Sequence, residues 1–316
     1  MNNKSLLLLL AFAALVVIGV IAYGDFGETI RQLAGFPLTH LLAALALALV
    51  NYLLRFARWS FYLKVLDVKI PLATSALVFL SGLAMSITPG KVGEVLKSHL
   101  LQDRVGVPVS TSLPAVVMER LTDLVAVIIL GLVGLALLPV PVVITLSVVL
   151  VVCGGVLLGA TSRHSQRLTG LPLLRRWKND LLDSQESLRH LAAPRVMLVA
   201  VALGTVAWCS EGVALWVILH GLDESLAVHQ VLPIYAAATL VGAITTLPGG
   251  LGGTEASMVA LLQQSGLPRD AASAGTLLVR VVTLFFAVLL GLAALACVKR
   301  MRPAAKAEPL NLRAKG

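Results

Sequence analysis

Thr88-Pro89-Gly90-Lys91-Val92-Gly93-Glu94 closes an apolar run, and a version of it returns as Leu247-Pro248-Gly249-Gly250-Leu251-Gly252-Gly253-Thr254-Glu255. In both, Pro-Gly ends the run, another glycine follows three residues after the first, and a short half-polar helical stretch begins. The correspondence continues downstream. Gly106-Val107-Pro108 answers Gly266-Leu267-Pro268; Arg120 and Arg280 each lie 12 residues beyond the proline; Gly131 and Gly291 each lie 11 beyond the arginine. A single inserted residue keeps the register. The chain therefore contains an internal duplication of roughly fifty residues.

Composition says which solvent this duplication lives in. Of 316 residues, 58% are hydrophobic and 13% charged, and mean hydropathy is +0.92; a soluble domain carries about 25% charged residues. The apolar runs are too long and charge-free for core helices, and nothing alternates with the period of two that a barrel needs. The fold class is all-α integral membrane, in a single polytopic domain over residues 1–298. The net charge of +9 sits in loops, so it reports topology and gives no sign of a nucleic-acid partner. Cys153, Cys209 and Cys297 all lie inside apolar segments, without metal-site spacing or a disulfide framework.

Taken in order, Ser5–Tyr23 reads as a first span, because no small-residue cleavage site follows it. Gly24–Pro37 reads as an acidic loop. Leu38–Leu54 is a second span ending in Arg55, Arg58, Lys64 and Lys69. Val109–Leu138, Val140–Ala160, Val196–His220 and Ala271–Val298 also cross. Residues 161–195 form a basic linker containing Trp177, either an amphipathic segment on anionic headgroups or a solvated loop. Residues 299–316 form a basic tail.

Parity decides the two remaining segments, Leu72–Thr88 and Val231–Leu247. If both crossed fully, the basic linker would lie outside and the acidic 221–230 loop inside, against the positive-inside bias. If both are re-entrant hairpins, every loop falls on its expected side. The expected architecture is about six crossing helices plus two Pro-Gly-broken hairpins, with both termini cytoplasmic. Repeat one (about 72–138) and repeat two (about 231–298) are then inverted about an axis in the membrane plane. Broken backbone at membrane depth survives only where protein buries it or a wet cavity borders it, so the breaks should meet at a central polar site.

Several residues could carry chemistry there. Arg120 and Arg280 lie two to three turns inside their spans, where a charge costs about 2.5–3.5 kcal/mol on insertion scales and needs a partner. Arg120 has Asp123 one turn on, with Glu119 on another face. Arg280 has no acid within its own turn, so its partner is Glu255, Glu211 or a ligand. Arginine forks its donors toward phosphate or carboxylate. The break glycines, Gly90 and Gly93 with Pro89, and Gly249, Gly250, Gly252 and Gly253 with Pro248, free backbone N–H groups or simply make the turn. Lys91, Glu94 and Lys97 follow the first break, and Glu255 alone follows the second, so the first half is the more cationic. Arg55 and Arg58 with Trp59 read as interfacial anchors first and headgroup contacts second. Glu211, mid-span, reads as a counter-ion or proton-coupling site.

No nucleophile–base motif, acidic metal cluster or Walker A sequence is present, so the chain reads as neither an enzyme nor an ATP-driven pump, and no metal or cofactor is expected.

With Arg55-Phe56-Ala57-Arg58-Trp59, Glu119-Arg120-Leu121-Thr122-Asp123, both Pro-Gly breaks and Arg280 in view, the chain resembles the lysylphosphatidylglycerol synthase transmembrane family of flippase-like bacterial membrane proteins, over about residues 10–300. The resemblance implies an inner-membrane protein that moves lipids between leaflets. In the synthases this domain precedes a soluble catalytic half, which is missing here, so synthase activity is not carried over. The expected function is a flippase or scramblase for an anionic phospholipid or a polyprenyl-linked lipid, with Arg120, Arg280, Lys91, Lys97, Arg55 and Arg58 as headgroup contacts. Glu211, Glu119 or Glu255 would carry a coupled proton. The alternative is a non-transporting partner or scaffold for an envelope-lipid biosynthetic enzyme or glycosyltransferase. The identity of the lipid, the direction and the oligomeric state stay open.

Overall fold

The computed structural model describes residues 3–88, 93–132 and 178–301, with scattered positions between 140 and 162. Among the described residues every regular element is a helix, and the chain is an all-α membrane protein. Twelve helices are described: α1 Asn3–Tyr23, α2 Phe26–Ala34, α3 Leu38–Val65, α4 Leu72–Leu83, α5 Leu96–Val105, α6 Val109–Leu132, α7 Lys178–Leu191, α8 Pro194–Gly221, α9 Val228–Ile244, α10 Gly253–Gln264, α11 Arg269–Arg280 and α12 Phe286–Arg300. The expected span Val140–Ala160 and the linker around Trp177 fall largely outside the described residues.

The distribution of polarity is that of a protein dissolved in lipid. Leu38, Leu42, Leu53, Leu198 and Leu289 are exposed, while Asn51, Arg58, Glu94, Lys97, Glu119 and Asp123 are buried. Apolar side chains lose nothing by facing hydrocarbon, whereas charges at that depth must face inward and pair. α3, α8 and the continuous run Arg269–Arg300 are each long and apolar enough to cross, at 28, 28 and 32 residues. α6 is long enough too, but it carries Glu119, Arg120 and Asp123 within one turn.

Two expectations are corrected. Gly24–Pro37 is largely a helix, not a loop: α2 turns 106° away from α1. Asp25 caps it by accepting from the N–H groups of Gly27 and Glu28. Asp25 with Glu28 three residues on is a helix-start signal that the sequence already carries. In the basic linker, α7 packs on α6, with Leu191 fully buried and Gln185 and Ser187 inside, so this part of the linker is docked on protein.

The helices on either side of each break pack on each other. α4 lies against α5, where the stem of Lys97 crosses Gly82, and α9 lies against α10, where Thr254 crosses Gly242. α4 packs on α12 and α9 packs on α6, so the arm of each broken pair leans on the long helix of the other half. α3 and α8 form the most extensive helix–helix contact among the described residues. The two breaks themselves touch, with Ile87 against Gly249.

Candidate functional site

Each break is built differently. After α4 the chain tightens into a 3₁₀ turn, Ala84–Ile87, and the Thr88 hydroxyl accepts from the Gly93 N–H at 3.0 Å. Pro89, Gly90 and Lys91 lie outside the described residues. The second break is a 3₁₀ turn, Pro248–Gly250, followed by Gly252, which precedes α10. Gly249, Gly250 and Gly252 have φ of 63°, 67° and 85°, the left-handed region that only glycine enters without strain. Glu255 reaches back from the first turn of α10 to accept from the Gly252 N–H at 2.6 Å.

Arg280 closes this turn. Its Nε donates to Glu255 at 2.5 Å and its Nη2 to the Gly249 carbonyl at 2.6 Å. Of the three partners left open by the sequence, Glu255 holds it. Directly beyond Arg280 the helix widens into a π turn, Val281–Phe285, and the Thr283 carbonyl accepts from the Tyr52 hydroxyl at 2.6 Å. π turns inside helices recur at functional sites.

In the first half the arginine joins a chain of charges. Arg120 lies 3.0 Å from Glu94 and 3.0 Å from Asp123. Glu94 lies 3.5 Å from Lys97, and Lys97 in turn bonds Glu119. The Lys97 ammonium sits over the rings of Trp59 and Phe79, at 4.9 and 5.5 Å, a cation–π seat that suits a desolvated lysine. Asp123 also accepts from Arg58 at 2.6 Å and from the Trp208 indole at 3.1 Å, and Arg55 lies 3.7 Å away. Glu119 and Arg120 are consecutive, so they leave α6 about 100° apart. One turns to Lys97 and the other to Glu94 and Asp123.

These placements correct the anchor assignment. Arg58 and Trp59 are fully buried and Arg55 is 6% exposed, so none is exposed as an interfacial anchor must be; Asp123 draws both guanidiniums into the bundle. Arg58 and Lys97 are committed to Asp123 and Glu119 and do not border the cavity described next, which removes them as direct headgroup contacts. The signal that marks this face is a polar stripe, Asn51, Arg55, Arg58 and Tyr62, at helical spacing on an apolar helix.

Between the halves lies a cavity of about 290 Å³. Arg55, Arg120 and Asp123 border it from the first half, and Glu211, Tyr235 and Arg280 from the second. Thr88, Gly249 and Gly250 bring both breaks to its wall, while Leu124, Val127 and Leu284 make an apolar side. Glu211 accepts from the Tyr235 hydroxyl at 2.5 Å. Tyr52, Trp208 and Tyr235 went unmarked in the sequence, because a tyrosine or tryptophan in an apolar helix has no local signature of its partner. The cavity thus sets arginine donors, whose forks suit phosphate or carboxylate, beside an apolar wall. Among the described residues, the Nε of Arg55 and of Arg120 have no hydrogen-bond acceptor.

The lysylphosphatidylglycerol synthase transmembrane-region model matches residues 7–291. The chain belongs to this family. It is also similar to membrane proteins of the group designated UPF0104. One, from Methanocaldococcus jannaschii, is 22% identical over 324 residues, covering 95% of this chain and 96% of that protein. Another, from Methanothermobacter thermautotrophicus, is 22% identical over 319 residues, covering 90% and 94%. The family match runs through both breaks and through Arg120 and Arg280, so the whole cavity lies within the family's own domain.

Proposed function

We propose that the protein is a non-enzymatic lipid flippase or scramblase of the cytoplasmic membrane, with both termini cytoplasmic, which takes an anionic headgroup into the central cavity while the acyl or prenyl tails stay in the bilayer. The observation that carries this reading is that Arg120 and Arg280, matching positions of the duplication, border one cavity together with both breaks. In such a site the guanidiniums neutralise a phosphate that would otherwise cross hydrocarbon as a bare charge. The two broken pairs act as re-entrant hairpins of inverted repeats, and rocking one half against the other exposes the cavity to each side in turn. Arg55, Arg120 and Arg280 contact the headgroup; Lys97, Arg58, Glu119 and Glu94 hold Arg120 and Asp123 in place.

The test uses purified protein in proteoliposomes containing fluorescent phosphatidylglycerol, with an impermeant quencher reporting movement between leaflets. Arg280→Ala should slow movement at least about tenfold, the loss of one charged hydrogen-bonded contact, while the protein stays monodisperse. Movement at the wild-type rate in that variant overturns the reading. Lipid movement by the purified chain alone also separates it from a scaffold that serves an enzyme.

A further inference from the structure

A pocket of about 500 Å³ lies apart from the central cavity, where α3 ends and the chain turns into α4. None of the residues that border it borders the central cavity. Its charged residues are Lys64, Asp67 and Lys69. The Lys69 ammonium lies 3.6 Å from Asp67, and both side chains are exposed. Lys64 is exposed too. Two cations against one acid leave the described wall of the pocket positive.

α4 starts at this pocket with Leu72, and its first turn has no side-chain cap, since Pro71 holds the N-cap position. The Ser75 N–H makes the bond to the Pro71 carbonyl, so the N–H groups of Leu72, Ala73 and Thr74 have no partner within the helix. Such an end carries partial positive charge. One turn in, Ser75 is 4% exposed and borders the pocket, and its hydroxyl has no hydrogen-bond partner among the described residues. The same holds for the hydroxyl of Ser60, which borders the pocket from α3. A helical serine can satisfy itself on a carbonyl one turn back, as Ser81 does with Leu77. Two buried hydroxyls that do not, beside an uncapped helix start and two lysines, are placed to meet an oxygen-rich anion.

The start of α9, the arm that leads to the second break, is built otherwise. There the Gln230 side chain accepts from the Ala227 N–H, and the loop before it carries Asp223 and Glu224 with no Lys or Arg. The cationic seat belongs to the first arm.

We infer that this pocket binds the phosphate of an anionic phospholipid, a fixed lipid that holds the start of α4 at the membrane surface. α3 is long and apolar enough to cross the bilayer, so the turn at its end lies at headgroup level, where lysines attract anionic lipids. Leu72 is 70% exposed at the edge of the pocket. Acyl chains would cover it, whereas a soluble phosphate would leave it against water. The site is independent of the lipid-carrier reading, because it needs no movement between leaflets.

The experiment titrates the full chain in detergent with phosphatidylglycerol and, separately, with phosphatidylcholine, and counts bound lipids by native mass spectrometry. In Lys64→Gln/Lys69→Gln one phosphatidylglycerol step should weaken about tenfold or more; both side chains are exposed, so the fold should tolerate their replacement. Ser75→Ala leaves the charges alone and should weaken the same step about threefold or more. Lys299→Gln/Arg300→Gln, which removes another exposed basic pair, should leave it unchanged. The step should persist in Arg280→Ala, and excess inorganic phosphate should not displace the lipid. A step that survives the Lys64 and Lys69 changes, or is indifferent to Ser75→Ala, overturns the site. So does one that weakens equally with the Lys299 and Arg300 pair, which would make it plain surface charge, or one missing from Arg280→Ala, which would move it to the central cavity. An equal loss of phosphatidylcholine, or displacement by phosphate, overturns the assignment to an anionic lipid.

Discussion

Arg120 and Arg280 stand at matching places in the two halves, yet their surroundings differ. Arg120 belongs to a connected run of seven charges, Glu119, Lys97, Glu94, Arg120, Asp123, Arg55 and Arg58, spread over α3, α5 with the turn leading into it, and α6. Arg280 has one acid, Glu255, and one backbone carbonyl, that of Gly249. The first arrangement is a lattice in which Lys97, Glu94, Arg120 and Asp123 each have at least two charged neighbours, so losing one contact leaves them another. The second is a latch between a long helix and a glycine turn. A duplicated chain has thus kept the arginine and its acid, Glu94 or Glu255, while surrounding one pair with redundancy and leaving the other alone. On the proposed lipid-carrier reading, the latched half is the one that a bound anion would release, because a phosphate would compete with Glu255 for a single guanidinium.

The lattice breaks hardest at Asp123. Removing one partner of a buried ion pair costs about 3–5 kcal/mol, and Asp123→Ala leaves Arg58 without its carboxylate and Arg55 and Arg120 with less. We expect this variant to lose folded protein in detergent, read as a collapse of the monodisperse fraction and of the thermal transition. A variant that melts like the wild type would show that the lattice is not what holds α3, α6 and α8 together.

A sharper comparison comes from two double-mutant cycles, Arg280→Gln with Glu255→Gln and Arg120→Gln with Glu94→Gln. Polar couplings inside membrane proteins reach about 1.7 kcal/mol. The Arg280 cycle should approach that ceiling, because no second acid takes over. The Arg120 cycle should give less than about half as much, because Asp123 lies at the same 3.0 Å as Glu94. Equal coupling energies in thermal unfolding would erase the distinction between lattice and latch.

How much of this could be read in the chain itself depends on how far apart the partners lie. The duplication, the breaks and the two arginines were legible because each repeat carries its own motif within a few dozen residues. The pairing of Arg280 with Glu255 was within reach as one of three candidates, since both belong to the same repeat. Arg58 with Asp123 was not: the two are 65 residues apart, and a basic cluster at the end of an apolar run looks alike whether it meets headgroups or a carboxylate on another helix. Tyr235 with Glu211 is a pairing between neighbouring helices with no local pattern. α2 was missed for another reason. Its capping residues were present, but acidic residues after a span read as loop before they read as a cap.

The long helices also differ in how each is broken and mended, and here the expected effects are smallest. In α6, Pro114 has no N–H to offer the Ser110 carbonyl four residues back; that carbonyl accepts instead from the Ser184 hydroxyl of α7 at 2.9 Å. In the second half the matching position is Ala274, and the irregularity comes later, at the π turn, where Tyr52 serves the Thr283 carbonyl. Both hydroxyls do the same work in different surroundings. The Tyr52 bond is buried and the Thr283 carbonyl keeps the Phe286 N–H, so Tyr52→Phe loses one buried hydrogen bond and should cost about 1–1.5 kcal/mol. The Ser184 bond is half-buried, where water or a lipid headgroup can take over, so Ser184→Ala should cost less, about 0.5–1 kcal/mol. Thermal unfolding of the two single variants in one detergent orders them. If Ser184→Ala proves the more damaging, then the docking of α7 rests on that single hydroxyl, and the first half is less redundant than its charges suggest.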